Sequence, residues 1–366
     1  MTAAEYFGGR SFIDRTYPAN HPMRELLVTS NPSTTTVAAF DYVYAAGDRH
    51  WLEGAKRDID AIPNPRSALM DDVAAFNSVL GELRAYADLL RIPGYSVSSK
   101  GRGKKGPDFT LTNENDGHVI KVEVFSYPPR PDYVMKIGSP TKQYFTDPRL
   151  GLCSMTTQVS VQDPFGFPDL NKPGDSTTAN VISRICARKG SEAQLEPDED
   201  SILFIDLQTV PISTSMMKEV DPVSHGNDEE VTSGAIWYAF YGKKGYPIFE
   251  VANPYNWRNV NCVRMQHNGH FCNDKPSKAN AVLVSVGPGD QNTLLKRLAC
   301  LENPQKPLPA QMRTAIEGSD LFDLQNSRMG TDLAAKLSAD RNAISDVLDK
   351  FRSWHPNHVE GLVVYE

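Results

Sequence analysis

The chain lacks several features that would assign it quickly to a class of protein. No apolar run approaches the about 20 residues that a helix needs to cross a bilayer, and segment 1–10 lacks the basic and apolar stretches of a secretory signal. Cysteines are few, odd in number and scattered, which predicts reduced thiols rather than a disulfide framework: they are Cys153, Cys186, Cys262, Cys272 and Cys300. We therefore expect a cytoplasmic protein without a membrane span.

An excess of positive charge is also missing. The net charge of −7 argues against a protein that coats nucleic acid nonspecifically. Local charge is a separate matter, because one glycine-rich loop carries four basic residues: Lys100, Arg102, Lys104 and Lys105. The intervening glycines allow this loop to approach a ligand closely, so we expect it to contact the phosphates of a nucleic acid.

Helical and strand patterns together predict an α/β protein with a mixed central sheet flanked by helices. We expect an N-terminal extension over 1–66 packed on the core, an α/β core over 67–290 and a C-terminal helical region over 291–366. The nearly unbroken apolar run Ser201–Leu207 is typical of a strand buried on both faces, as in the middle of such a sheet.

The clearest local pattern is a helix followed by a hairpin. The helix opens at Asp71-Asp72 and ends near Ile92, and a strand Tyr95–Ser98 follows it. Turn residues over 113–117 join the strands Phe109–Thr112 and Val119–Phe125. Further predicted elements are a helix over Thr178–Arg188, strands over Ala235–Tyr241, Tyr246–Val251 and Ala279–Val286, and helices over 311–325 and 331–352.

Three acidic residues stand in order along this stretch. Glu82 lies on the helix, Asp108 follows a proline at a strand start, and Glu123 lies inside an apolar strand. A charge in an apolar strand is costly unless something pairs with it, and carboxylates converging on one point would pair with a divalent metal ion. Strand alternation also places Lys121 on the face of Glu123.

This order of elements resembles the PD-(D/E)xK nuclease superfamily, whose metal site is built from an acidic helix, a Pro-Asp strand and an acidic strand. The resemblance implies a restriction-endonuclease-like core in which Glu82, Asp108 and Glu123 hold Mg²⁺ or Mn²⁺. It implies a phosphodiesterase that acts on DNA, or alternatively on RNA, in restriction, defence or repair, and that works as a homodimer. A lysine and a glutamine before a central strand ending in Asp are also similar to some families of this kind, which brings Lys189, Gln194 and Asp206 near the site, with Gln158 as another candidate.

The chain departs from the superfamily pattern at one position. The acidic strand usually reads acid-x-Lys, whereas Phe125 stands where that lysine is expected. We expect Lys121 to supply the missing cation, with Lys189 as the second choice. Two alternatives remain open: a nuclease-fold module that binds nucleic acid or protein without catalysis, and an unrelated fold in which Lys121 and Glu123 form a surface ion pair.

Three other motifs favour ordinary structural roles. The spacing of Cys262, His267, His270 and Cys272 fits no common structural zinc site. Gly101, Gly103 and Gly106 match the dinucleotide-binding letters but lead into a strand rather than a helix. The aromatic cluster Trp237, Tyr238, Phe240, Tyr241 and Phe249 could stack on bases, but core packing is the more common role of such residues.

Overall fold

The computed structural model describes the greater part of the predicted core and parts of both flanking regions. The described residues are 6, 33–62, 70–100, 105–126, 141–147, 151–157, 182, 185, 192–207, 224–225, 231–232, 234–245, 247–251, 260–286, 298–322 and 363–365. Within these residues, each helix is too short or too polar to span a membrane.

Three helices precede the sheet: α1 (Ser33–Ala45), α2 (Arg49–Ala61) and α3 (Met70–Leu89). Helix α2 begins after Asp48, whose Oδ1 accepts a hydrogen bond from the backbone N–H of Trp51 at 3.0 Å. This is the N-cap arrangement that satisfies an otherwise unpaired helical amide. Helix α3 is the predicted acidic helix, and its end at Leu89 precedes Pro93-Gly94.

The strands, in chain order, are β1 (Tyr95–Ser99), β2 (Phe109–Asn113), β3 (Val119–Ser126), β4 (Thr141–Asp147), β5 (Gly151–Thr157), β6 (Ser201–Leu207), β7 (Ser224–His225), β8 (Val231–Thr232), β9 (Pro247–Val251), β10 (Val260–Arg264), β11 (Ala281–Val286), β12 (Leu298–Glu302) and β13 (Val363–Tyr365). Two further helices are α4 (Ala235–Tyr241) and α5 (Ala310–Glu317).

Six of the described strands form the main sheet in the order β1-β2-β3-β6-β11-β12. Strands β3, β6 and β11 run parallel, while β1, β2 and β12 join their neighbours antiparallel. The sheet is therefore mixed and open, and the prediction of an α/β protein with a mixed central sheet flanked by helices is confirmed.

Each face of the sheet supports its own apolar core. One core joins helices α1, α2, α3 and α5 to Ile120 and Val122 of β3 and to Ile202 and Phe204 of β6. The other joins α4 to the alternate residues of the sheet, including Leu203 and Ile205. Because side chains alternate along a strand, Glu123 belongs to the face of this second core.

The structure corrects one predicted element and adds another. Residues Ala235–Tyr241 form helix α4 rather than a strand, and every residue of that helix is buried. A helix buried on all sides shows no polar stripe, so its period cannot be read from hydrophobicity. Strand β12 was not predicted, α5 ends well short of 325, and the predicted helix over 331–352 lies outside the described residues.

Candidate active site

The register of the first three strands brings three charged residues into one row. Ser99 stands opposite Phe109, and Phe109 stands opposite Val122. One position further in the same register stand Lys100 just after β1, Asp108 just before β2 and Glu123 in β3, side by side on one face. A backbone hydrogen bond from the N–H of Lys100 to the carbonyl of Asp108, at 3.3 Å, extends the pairing to this row.

Both oxygens of Asp108 are held in place. The Nζ atom of Lys100 lies 2.9 Å from Oδ1, with the two side chains only 21% and 14% exposed. The backbone N–H of Val124 donates to Oδ2 at 2.9 Å. An ion pair on one side and a strand amide on the other fix the orientation of this carboxylate, as a catalytic or ligating group requires.

Glu123 is a buried carboxylate with an unsatisfied oxygen. Glu123 is 9% exposed, and its Oε2 has no hydrogen-bond partner among the described residues. Burial, with the nearby charge of Asp108, raises the pKa of Glu123 to about 8; Glu82 adds to the rise, while Lys100 and the Asp108 backbone amide oppose it. Among the described residues, the cation that lowers the pKa of Glu123 is thus Lys100, which lies at the far end of the row, beyond Asp108, rather than on the strand of Glu123.

Glu82 reaches this site from the opposite layer of the fold. Helix α3 packs closely against β3 and β6 at Gly81, where an added Cβ would lie 1.5 Å from Oγ of Ser126 and 2.9 Å from Oδ2 of Asp206. This close approach sets the next residue, the half-buried Glu82, near enough for its charge to act on Glu123. The charges of the helix residue Glu82 and of Asp108 therefore both act on Glu123 in the acidic strand.

Gln194 closes the site from a distant segment of the chain. Its Oε1 accepts hydrogen bonds from the backbone N–H of Gly106 at 3.0 Å and from Nζ of Lys100 at 3.3 Å. The Lys100 ammonium also donates to the carbonyl of Gly106 at 2.5 Å. Gly106 turns with a φ of +115°, which a residue with a side chain rarely adopts. The lysine is consequently held by three oxygen acceptors at the edge of the carboxylate row.

The segment that carries Gln194 is anchored by Glu192. Its Oε1 lies 2.7 Å from Nε2 of His270 and accepts a hydrogen bond from Oγ of Ser277, and its Oε2 accepts one from the N–H of Lys278 at 2.9 Å. Burial alone would raise the pKa of Glu192. The hydrogen bond and charge of His270, with the hydrogen bonds from the Ser277 hydroxyl and the Lys278 backbone N–H, lower that pKa to about 2.

Two members of the residue set considered for zinc have other partners. His270 bonds to Glu192, and Sγ of Cys272 donates to the carbonyl of Tyr241 at 3.3 Å. These contacts give both residues a structural role in the fold.

The other predicted site residues divide into three groups. Lys121 lies on the face of Glu123, as strand alternation predicts, and stands opposite Thr110 and Ser201. Asp206 lies on the opposite face, where it forms a buried ion pair with Arg84 at 2.6 Å. Lys105 is exposed, whereas Arg102, Lys104, Gln158 and Lys189 lie outside the described residues.

Sequence reasoning gave Lys100 a role in phosphate binding but missed its contact with the carboxylates. The signal was present, because two antiparallel strands joined by a loop place the residue after the first strand opposite the residue before the second. With β1 and β2 recognised, Lys100 and Asp108 are those two residues. What the sequence did not reveal was that these two strands pair with each other.

Among the described residues, no three His, Cys, Asp or Glu side chains are close enough together to form a ready metal cluster. Comparison of the chain with protein-family models, with curated proteins and with solved structures gives no match. Arguments about function therefore rest on the chemistry of the row itself.

Proposed function

We propose that this protein is a metal-dependent phosphodiesterase that cleaves DNA, with the PD-(D/E)xK arrangement on a restriction-endonuclease-like core. The observation that carries the proposal is the buried Oε2 of Glu123, which has no hydrogen-bond partner in the part of the chain that the structure describes and lies in a row with Asp108 and Lys100. A buried polar atom without a partner is uncommon in folded proteins and points to a missing ligand or a functional role.

The donor set fits a hard divalent cation. The charges of Glu82 and Asp108 both act on the buried carboxylate of Glu123, and burial makes this mutual repulsion costly. Carboxylate oxygens are the ligands that Mg²⁺ and Mn²⁺ prefer, so Asp108 and Glu123 would hold the ion, with Glu82 adding charge. A bound ion of this kind lowers the pKa of an attacking water and neutralises charge on the phosphate.

Lys100 supplies the cation that Phe125 cannot. Its ammonium is already oriented by Asp108, Gly106 and Gln194, so little reorganisation is needed for it to donate to a phosphate oxygen beside the row. Donors oriented in advance toward developing charge contribute strongly to transition-state stabilisation. Val124 holds Asp108 from the other side and keeps the carboxylate aimed at the same point.

The test compares two lysines on one sheet face. Lys100→Met should reduce nicking of supercoiled plasmid in Mg²⁺ or Mn²⁺ by about 10²-fold or more, the scale of one lost transition-state donor. Lys121→Met is the matched control, because it removes the same charge two positions from Glu123. We expect that variant to cleave within a few-fold of the unmodified protein, and Asp108→Asn and Glu123→Gln to lose cleavage.

If Lys121→Met loses more cleavage activity than Lys100→Met, Lys121 is the catalytic cation. Equal loss in both variants would indicate a general effect of positive charge on DNA binding. If the unmodified protein cleaves DNA neither in Mg²⁺ nor in Mn²⁺, the phosphodiesterase proposal is wrong.

A second candidate is a nuclease-fold binding module without catalysis. Phe125 in the lysine position and the Lys100–Asp108 ion pair both favour it, since an engaged lysine can replace a metal ion as the partner of a carboxylate. This candidate predicts DNA binding that is the same in EDTA and in Mg²⁺, with no cleavage in either. A Glu123→Gln variant would then bind DNA as the unmodified protein does.

A further inference from the structure

We infer that Gln194 is a positioning residue, whose amide oxygen keeps the Lys100 ammonium at the carboxylate row when a divalent metal ion binds to Asp108. This inference rests on the proposed function and adds to it the residue that holds the catalytic lysine. Gln194 bonds to Lys100 and to the backbone of Gly106, so it acts through the lysine rather than on the reacting atoms.

Lys100 and a metal ion would compete for one carboxylate. The Nζ atom of Lys100 lies 2.9 Å from Oδ1 of Asp108, and the two side chains are 21% and 14% exposed. The other oxygen, Oδ2, already accepts a hydrogen bond from the backbone N–H of Val124 at 2.9 Å. Two cations beside one largely buried carboxylate repel each other more strongly than they do in water. Metal binding to Asp108 therefore weakens the ion pair that holds the lysine.

Two uncharged oxygens then remain to hold the ammonium. The carbonyl oxygen of Gly106 accepts a hydrogen bond from Nζ at 2.5 Å, and Oε1 of Gln194 accepts one at 3.3 Å. An ammonium group has three donors, so both acceptors serve Lys100 whether or not Asp108 is engaged. Because neither acceptor is charged, they hold the lysine without adding to the negative charge of the row.

The amide oxygen of Gln194 also fixes the other acceptor in place. It receives the backbone N–H of Gly106 at 3.0 Å, at the turn where Gly106 has a φ of +115°. One oxygen thus joins the lysine to the turn that carries the Gly106 carbonyl. Removal of this oxygen releases its own contact with Lys100 and loosens the contact with Gly106.

An exposed glutamine holds a partner in place only where its own backbone is fixed, and Gln194 is exposed. The residues around it are attached to a distant part of the chain. Glu192 bonds to Nε2 of His270 at 2.7 Å and to the backbone N–H of Lys278 at 2.9 Å. The carbonyl oxygen of the buried Leu195 accepts a hydrogen bond from Nζ of Lys278 at 2.5 Å. The Gln194 side chain therefore extends from an anchored segment.

The test measures the accessibility of the Lys100 amine with and without metal. Acetic anhydride modifies exposed lysines, and mass spectrometry of peptides gives the rate at Lys100 relative to the exposed Lys244. In the unmodified protein this ratio should be low in EDTA and in Mn²⁺. In Gln194→Met it should be low in EDTA, where Asp108 still holds the amine, and rise by about 10-fold or more in Mn²⁺, the scale of a lost hydrogen bond to a charged group.

Two further variants separate positioning from a general effect of the substitution. Gln305→Met makes the same change at an exposed glutamine that follows β12, the other edge strand of the main sheet, and should leave the Lys100 ratio low in Mn²⁺. Gln194→Glu keeps an oxygen acceptor of the same reach and should also keep the ratio low. A high ratio in either variant would overturn the inference.

Plasmid cleavage gives a second readout. Gln194→Met should lower kcat and kcat/KM together by about 10-fold or more, because a misplaced transition-state donor affects the chemical step rather than substrate binding. Gln305→Met should cleave as the unmodified protein does. An unchanged kcat in Gln194→Met would overturn the positioning role.

Electron paramagnetic resonance of free Mn²⁺ follows metal binding separately, so that failure of the inference and failure of the proposed function are distinguishable. If Gln194→Met binds Mn²⁺ and Lys100 stays protected, the inference is wrong and the phosphodiesterase stands. A high Lys100 ratio already in EDTA would also overturn it, since Asp108 would then not hold the amine in the metal-free protein. A metal-dependent rise in a protein that cleaves no DNA would support the positioning role and remove the enzyme. Absence of Mn²⁺ binding by the unmodified protein would overturn both.

Discussion

Glu123 is the residue whose environment departs furthest from what its chemistry prefers. A carboxylate in the unfolded chain loses its proton near pH 4.5, whereas burial and the neighbouring carboxylates raise the pKa of Glu123 to about 8 in the folded protein. At a pH between these two pKa values, Glu123 has lost its proton in the unfolded chain but keeps it in the folded protein. The free energy of unfolding of the metal-free protein should therefore fall as the pH rises from about 5 to about 8.

Glu123→Gln tests this dependence, because an amide cannot ionise. In EDTA the variant should gain stability over the unmodified protein as the pH rises, by on the order of 5 kcal/mol at pH 9, since the pKa of Glu123 rises from 4.5 to about 8 and one pKa unit is about 1.4 kcal/mol. Urea unfolding at pH 5, 7 and 9 measures the difference. Parallel curves for the two proteins over this range would show that Glu123 titrates normally.

The buried pair of Arg84 and Asp206 gives a second prediction at this scale. The side chains are 1% and 0% exposed and make two hydrogen bonds, at 2.6 and 3.2 Å. Arg84→Met leaves a carboxylate buried without its cation and should cost about 3–5 kcal/mol in urea unfolding. Arg84→Met with Asp206→Leu should recover most of that loss; a double variant as unstable as the single one would contradict this account.

Single residues also show how far the sequence could lead. Asp108 and Glu123 were found because each breaks a local pattern, one after a proline and one inside an apolar strand. The contact of Lys100 with Asp108 depends on strand pairing, and nothing local distinguishes Lys100 from the other basic residues of its loop. Local chemistry thus predicted the carboxylates, while the identity of their cation required the register.

Among the elements, the crossing of helix α3 over strand β3 depends on Gly81. Helix propensity alone predicts that Gly81→Ala would stabilise the protein by about 0.5–1 kcal/mol. The added Cβ, however, would lie 1.5 Å from Oγ and 2.6 Å from Cβ of Ser126. An overlap of that size should outweigh the propensity gain and give a net loss of at least about 2 kcal/mol.

Ser126→Gly is the matched partner change, because it removes the two atoms closest to the new Cβ and leaves Oδ2 of Asp206 at 2.9 Å. Chemical unfolding of the single and double variants forms a double-mutant cycle. The double variant should recover most of the lost stability. A stabilised Gly81→Ala single variant would mean that α3 can move away from β3, and Glu82 with it.

Elements with a clear local sequence pattern were predicted best. The β2–β3 hairpin follows from its turn residues and its alternation, and β6 follows from its short apolar run. Helix α4 was predicted as a strand because all of its residues are buried, Trp237, Tyr238 and Phe240 among them. Uniform burial removes the periodicity by which the two kinds of element are told apart.

At the scale of the whole molecule, Glu192 ties the segment of Gln194 to residues far along the chain. The pKa of Glu192 is lowered to about 2 through its contacts with His270, Ser277 and Lys278. Its stabilising effect should therefore be complete above about pH 5 and lost as the pH falls toward 2. Glu192→Gln should cost on the order of 3 kcal/mol at pH 7, from about 1.4 kcal/mol per pKa unit.

The measurement is the difference in free energy of unfolding between the unmodified protein and Glu192→Gln from pH 7 to pH 2.5. That difference should shrink as the pH falls. A constant difference would assign the effect to packing rather than to charge. A variant that unfolds normally but cleaves poorly would show that the anchor also serves Gln194.

The row of Lys100, Asp108 and Glu123 has a consequence for recognising related chains. Asp108 and Glu123 are connected by a tight hairpin, so their separation along the sequence cannot change without changing the turn. Lys100 and Asp108 are connected by a loop whose length can vary freely, because the pairing of β1 with β2 keeps the two residues adjacent. A pattern that describes this site should therefore hold the spacing of the two acids constant, leave the gap before Pro107 open, and look for the lysine at the end of the preceding strand rather than after the second acid.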